Sequence, residues 1–150
     1  MRRIFSFALV LVVFITMLPM TVYAEDKNEN VVYFEDGSYL TIFMDKEYLR
    51  ASGSQTGRKT YQYTDSDGDI AWKVVLNGTF AYTGSSAQCM SSSVDVTIYI
   101  SGWYVLSESA GKSGASATGD VTMGLKMLGI TIKKVPLTMT LTCDANGNLS

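Results

Sequence analysis

Three aspartates in the segment Asp65-Ser66-Asp67-Gly68-Asp69 have the spacing that comes closest to a metal site. Acidic side chains at roughly positions 1, 3 and 5 of a loop are how a calcium loop surrounds its ion with oxygen atoms. The rest of that pattern is missing, because Ile70 takes the place of its glycine and Leu76 the place of its glutamate. We therefore predict an acidic hairpin turn, with Asp65, Asp67 and Asp69 as a weak calcium candidate, and no cofactor.

Catalysis has little support in the residue types present. The 150 residues include no histidine, which removes the usual general base and a common zinc ligand. Paired carboxylates for acid–base work must share a pocket, and no pattern ties together Asp95, Glu108, Asp120 and Asp144. We predict that the chain is not an enzyme.

Aromatic side chains are better candidates for binding. Trp72 and Trp103 fall at apolar positions of their strands, so we predict that they lie in the core. Tyr61 and Tyr63 share one strand face, and Tyr99 opposes the apolar face of another strand, so we predict that all three are exposed. Such a tyrosine row could stack on sugars or contact a protein, or it could stiffen a solvated face through cross-strand pairs.

The two cysteines, Cys89 and Cys143, are predicted to form one disulfide. Closing a loop of about 55 residues would stabilise the fold by about 4 kcal/mol in the chain-entropy model. A thiol nucleophile or a metal site is the disfavoured alternative, because no imidazole is available to assist either.

The elements that position these residues are predicted to be strands. Apolar and polar residues alternate along 94–100 and 135–143, and Asp36-Gly37 between two alternating runs indicates a tight hairpin. A bulge or tight bend is predicted at Asn77-Gly78, and a Gly/Ser/Ala-rich loop over 107–118. The pattern predicts an all-β fold, an antiparallel β-sandwich of about eight strands, with a small β-barrel as the alternative.

The first residues predict export. Arg2 and Arg3 precede an apolar run that ends near Pro19, and Ala24 is a suitable cleavage position. We predict a signal peptide over 1–24, a flexible tail over 25–30 and one domain over 31–150, secreted and without a stable membrane anchor after cleavage. Removing two arginines leaves 10 basic and 14 acidic residues, a net charge of −4, which argues against nucleic-acid and anionic-membrane partners.

Two functions remain as predictions. The first is a non-enzymatic secreted or cell-surface-associated module that binds a protein or a glycan through the tyrosines or the loops. The second is a membrane-active toxin, since two alternating strands and a small-residue loop over 94–127 are also typical of a pore-forming stem hairpin.

Three runs carry a resemblance to a known group: 32–39 (VYFEDGSY), 72–80 (WKVVLNGTF) and 141–150 (LTCDANGNLS). Over most of 31–150 the chain resembles small exported proteins of gut-type Firmicutes, a group without an established activity. The resemblance implies a Gram-positive bacterial source, in which the glycosylation pattern at Asn77 has no role. It carries over no functional residues.

Overall fold

The computed structural model describes residues 30–45 and 53–150, and every regular element in these ranges is an antiparallel strand. In chain order the strands are β1 (Asn30–Tyr33), β2 (Tyr39–Asp45), β3 (Ser54–Thr64), β4 (Ile70–Tyr82), β5 (Ala87–Ile98), β6 (Trp103–Ser113), β7 (Ser116–Met127) and β8 (Ile130–Thr142). They form a five-stranded sheet in the order β1-β2-β3-β4-β5 and a three-stranded sheet in the order β6-β7-β8. The predicted all-β class and antiparallel pairing are confirmed.

Both sheets are simple meanders in which each strand pairs with its neighbour in sequence. The predicted hairpin at Asp36-Gly37 is confirmed, with β1 and β2 on either side and Gly37 at a φ of 85°. The ladders leave both sheets open, and none joins β5 to β6 among the described strands. The predicted signal peptide and residues 25–29 of the predicted tail lie outside the described residues, whereas Asn30 is the first residue of β1.

Two segments predicted to interrupt the strands are in fact strand. The Gly/Ser/Ala-rich stretch 107–118 lies almost wholly in β6 and β7, where small residues pair regularly across the hairpin around the Gly114-Ala115 turn. Asn77-Gly78 lies in the middle of β4 and pairs with β3 and β5; there is no break in the strand, but the register of β4 against β5 shifts just beyond it, between Thr79 and Phe80. Gly78 is needed for space, because a Cβ there would lie 2.7 Å from the Phe80 ring.

One hydrophobic core lies between the two sheets. Most of its large, fully buried side chains come from β4 of one sheet and from β7 and β8 of the other: Trp72, Val74, Leu76, Phe80, Val121, Met123, Met139 and Leu141. Gly119 allows the sheets to approach, since a Cβ there would be 2.8 Å from Val94 and 2.9 Å from Met139. The predicted core positions of Trp72 and Trp103 are confirmed.

The predicted disulfide is wrong in this structure: Cys89 and Cys143 are both buried free thiols that are not at disulfide distance. The two residues bracket the β6–β7 turn. The backbone N–H of Cys89 donates to the Gly114 carbonyl at 2.7 Å, and that of Cys143 donates to the Ala115 carbonyl at 3.0 Å. The turn, rather than an S–S bond, therefore connects the start of β5 to the end of β8.

Candidate functional site

The predicted tyrosine row does not form a surface. Tyr61 and Tyr63 are only 6% and 2% exposed, which corrects their predicted exposure. On β3 they lie opposite Val74 and Trp72 of β4, on the core side of the sheet. Tyr99 follows β5, remains 55% exposed, and has the Lys73 Nζ atom 5.7 Å from its ring centre.

The buried tyrosine belongs to an aromatic cluster at one end of the core. The Tyr63 ring stacks on Trp72 with a centroid distance of 5.0 Å and an interplanar angle of 6°. It also contacts Trp103 at 5.0 Å, and Phe34 closes the other side at 5.8 Å. The two tyrosines predicted to bind a ligand therefore act as packing residues. Neither face of β3 carries an aliphatic side chain at these positions, so the alternation there did not mark the core side.

The acidic turn is organised by its own backbone. One oxygen of Asp65, Oδ1, accepts hydrogen bonds from the backbone N–H groups of Asp67 at 3.0 Å and Asp69 at 2.9 Å. Gly68 follows with a φ of 92°, which a turn of this kind requires. Within residues 30–45 and 53–150, no three acidic or cysteine side chains come together in a group that could hold a metal ion. These contacts favour the hairpin-turn interpretation over the calcium candidate.

A polar cluster that the sequence did not indicate surrounds Lys133. Its Nζ atom donates to the Asp36 carboxylate, to the Tyr63 hydroxyl and, at 3.2 Å, to the Ser38 hydroxyl. The bond from Lys133, followed by those from Ser38, lowers the pKa of Asp36 far below its usual value. Burial alone would lower the pKa of Lys133, but its bonds to Asp36 and Tyr63 outweigh that effect and raise it.

This cluster connects the two sheets rather than presenting a reactive group. Asp36 lies in the β1–β2 turn and Lys133 on β8, so their ion pair joins a turn of one sheet to a strand of the other. Ser38 is 1% exposed and its hydroxyl already donates to Asp36. A buried serine beside a charged lysine cannot serve as a nucleophile for an external substrate.

The two thiols are equally poor nucleophiles. Burial raises the pKa of Cys89, only partly offset by Lys112, and burial together with the nearby Asp144 raises that of Cys143. Their Sγ atoms lie 3.3 Å from the Ser91 carbonyl and 3.4 Å from the Asp144 carbonyl, respectively. Thiols that stay protonated and buried are unreactive at neutral pH.

The most unusual surface is the end of the β7–β8 hairpin. We call the set Met127, Leu128, Ile130 and Ile132 the apolar tip; every one of these side chains is more than half exposed, and Leu128 is 96% exposed. Met127 and Ile130 are directly paired, so they lie on the same side of the hairpin. Four large aliphatic side chains exposed within six residues form a patch of the kind that marks an interaction site.

The turn of this tip has a strained backbone. Leu128 and Gly129 connect β7 to β8 with positive φ angles of 51° and 79°. Two-residue hairpin turns of this type favour Asn-Gly, because asparagine and glycine tolerate the left-handed region. Leu128 is the one described non-glycine residue with a positive φ, so a bulky aliphatic side chain stands where the backbone disfavours it.

The base of the tip is firmly held. The backbone N–H of Lys126 donates to the Gly102 carbonyl at 2.9 Å, and its Nζ atom lies 4.3 Å from the centre of the Tyr104 ring. The Tyr104 hydroxyl is 2.6 Å from that of Thr131 on β8. Three strand ends therefore fix the direction in which the tip projects.

The stretch 94–127, predicted as a possible stem hairpin, is divided between the sheets. Residues 94–98 end β5 in the five-stranded sheet, whereas β6 and β7 form a hairpin of the three-stranded sheet. The described part of the chain holds no apolar helix with the length to cross a membrane.

Known proteins offer no guide to these surfaces. Comparison with protein-family models, with curated proteins and with solved structures finds no match to this chain.

Proposed function

We propose that this chain is a non-enzymatic β-sandwich module that acts outside a Gram-positive bacterial cell and contacts its target through the apolar tip. Export is supported by the charged and apolar leader over 1–24, and the sandwich by the core that both sheets share. The observation that carries the proposal is Leu128, almost fully exposed and in a left-handed backbone conformation.

Exposure and strain together make the tip difficult to explain by folding alone. A leucine at a left-handed position costs about 1–2 kcal/mol relative to an ordinary conformation. Leu128 recovers none of this cost by burial, because its side chain contacts mainly solvent. Backbone strain that does not contribute to folding is commonly found at functional sites. Because the exposed side chains of the tip are apolar, they favour a target with an apolar component over a glycan.

The absence of an enzymatic role is supported by the polar groups described above. The buried Ser38 hydroxyl accepts a hydrogen bond from Lys133, whose Nζ atom is also paired with Asp36 in a partly buried cluster. Ser109 and Lys112 have Ser-x-x-Lys spacing, but residues three apart on a strand point to opposite faces. Lys112 also donates to the Met90 carbonyl at 2.8 Å.

Binding to Gram-positive cells tests the proposal. Fluorescently labelled protein would be titrated onto whole cells and onto protoplasts, comparing the wild type with a double variant, Leu128→Asn with Ile130→Thr. Burial of one such side chain is worth about 1.5–3 kcal/mol, so the double variant should bind at least about tenfold more weakly. Equal binding by the wild type and the double variant would overturn the proposal.

A matched control is available at the other end of the molecule. Met90 is an exposed apolar residue of β5, and its carbonyl binds Lys112, which pairs with Ala117 near the start of β7. Ala117 and Met127 are ten residues apart on β7, about 33 Å. Met90→Thr removes a similar exposed apolar side chain and should leave binding unchanged.

A further inference from the structure

We infer that the apolar tip inserts into the interface of an anionic lipid bilayer, so that the β7–β8 hairpin anchors the protein peripherally. The inference rests on the proposal that the tip is the contact element, and it specifies the target. Its support lies in how far the tip projects, in the charges behind it and in its small size.

The tip projects beyond the β1–β2 turn and the acidic turn at its end of the molecule. Lys133 marks the level of the β1–β2 turn, because its ion pair reaches Asp36 there. The acidic turn lies at the same level, since a Cβ on Gly37 would be 3.7 Å from Ser66. Lys133 lies opposite Leu125 and Ile130 opposite Met127, two residues further along β7, so the Met127–Ile130 pair lies about 7 Å beyond both turns. Interfacial segments bury their apolar side chains about 5–10 Å into the headgroup and acyl boundary.

The charges of the hairpin suit an anionic surface. Residues 121–143 include three lysines, Lys126, Lys133 and Lys134, and no aspartate or glutamate. Lys133 is neutralised by Asp36, whereas Lys126 and Lys134 are exposed. Lys126 lies one residue behind Met127, over the Tyr104 ring, and a lysine with a tyrosine at this depth is typical of the headgroup region.

The net negative charge of the whole chain argued against an anionic membrane as partner, but the distances of the individual charges from the tip change that expectation. Charges in solution are screened over about 8 Å at physiological ionic strength. The acidic turn at Asp65 lies about 7 Å behind Met127 and Ile130, close to one screening length, whereas Lys126 lies only one residue behind Met127. A surface that contacts the tip therefore interacts more strongly with the nearby lysine than with the more distant carboxylates.

The size of the tip favours a bilayer over a protein partner. Four side chains offer well under the ~800 Å² per partner that a stable protein interface buries. Two tips in contact within a dimer would also bring Lys126 and Lys134 of both copies together, which is unfavourable. A bilayer needs no complementary pocket and accepts a small apolar projection.

Vesicle sedimentation tests the inference with the secreted protein. Vesicles that contain phosphatidylglycerol would be compared with pure phosphatidylcholine, each at low and high salt. We expect the protein to bind the anionic vesicles at low salt. Binding to phosphatidylcholine vesicles, or to anionic vesicles at high salt, should be at least about tenfold weaker. Leu128→Asn with Ile130→Thr should weaken binding to both vesicle types, whereas Lys126→Gln with Lys134→Gln should weaken it only on the anionic ones. Met90→Thr should bind as the wild type does.

A fluorescence measurement reports insertion directly. In an Ile130→Trp variant, anionic vesicles should shift the emission of the new tryptophan to shorter wavelength. The emission of the buried Trp72 and Trp103 should stay unchanged.

Failure of this inference can be separated from failure of the proposed function. If the wild-type protein does not bind anionic vesicles, the lipid target is wrong. The proposed function survives that result if the tip variant still loses binding to cells. A dimer in sedimentation velocity that Leu128→Asn abolishes would assign the tip to a second copy and would also overturn the lipid target.

Discussion

Replacement of Leu128 by asparagine should stabilise the protein, although Leu128 is the central residue of the proposed contact surface. The side chain is 96% exposed, so its removal sacrifices almost no buried area. At a φ of 51° the leucine costs about 1–2 kcal/mol, and asparagine tolerates this conformation much better. The expected gain in the free energy of unfolding is about 1 kcal/mol, or a rise of about 4 °C in Tm for a domain of this size.

Urea denaturation and thermal melts of the wild type and three variants would measure this gain. Leu128→Gly should also stabilise, because glycine adopts positive φ freely, although its entropy in the unfolded chain offsets part of the benefit. Leu128→Ala should give no gain, since it keeps a Cβ at the same backbone angle. Ile130→Asn changes an exposed residue in ordinary strand conformation and should not stabilise.

The reasoning would be refuted if Leu128→Asn were no more stable than the wild type, or if Leu128→Ala gained as much as Leu128→Asn. The second result would attribute the effect to loss of the exposed side chain rather than to relief of backbone strain. If the stabilised asparagine variant also loses membrane binding, the tip exchanges stability for function.

Three further outcomes follow from the packing and the charges. Gly119→Ala should lower the free energy of unfolding, measured in urea, by about 1–3 kcal/mol, because its Cβ would lie 2.8 and 2.9 Å from side chains of both sheets. The control Gly111→Ala should lower it less, because there the Cβ would meet only a threonine hydroxyl at 3.0 Å. Equal losses of stability would count against close packing of the sheets. The pKa of Asp36 is lowered by its hydrogen bond from Lys133 and then by those from Ser38, so its carboxylate stabilises the fold above the usual pKa of 3.8 and loses this effect in acid. Asp36→Asn should therefore be less stable than the wild type at neutral pH, and the difference should shrink below pH 3.8. A difference in stability that does not change with pH would contradict the ion pair. Without reductant, Cys89 and Cys143 should both react with an alkylating agent only after unfolding, as counted by mass; thiols that appear only after reduction would show that a disulfide had formed.

The alternation of residues was enough to predict the strands and part of the core. Strand side chains point to alternate faces, so Trp72, Val74 and Leu76 had to share one face, and that face is buried. The hairpin at Asp36-Gly37 was equally local, because turn chemistry depends on the turn residues themselves. Small residues over 107–118 misled the prediction, since regular pairing across a hairpin outweighed their weak strand preference.

The burial of β3 depended on the second sheet. Tyrosines alternate there with threonine and glutamine, so neither face is plainly apolar, and the rings turn inward to fill space against Trp72 and Trp103. The ion pair between Asp36 and Lys133 joins residues 97 positions apart, which no local pattern could indicate. The cysteines failed to pair for a similar reason, because the placement of the β6–β7 turn separates them.

The sequence by itself determined that apolar and polar residues alternate along strands, that histidine chemistry is absent and that two tryptophans lie in the core. These properties depend on residue type and strand periodicity alone. Only the tertiary structure decided which alternating residues are exposed. Met123 and Met127 share one face of β7, yet the first is fully buried and the second is mostly exposed. Burial ends where packing against the opposing sheet ends, and the hairpin continues beyond that point, so the apolar tip arises from the relative lengths of packed strands.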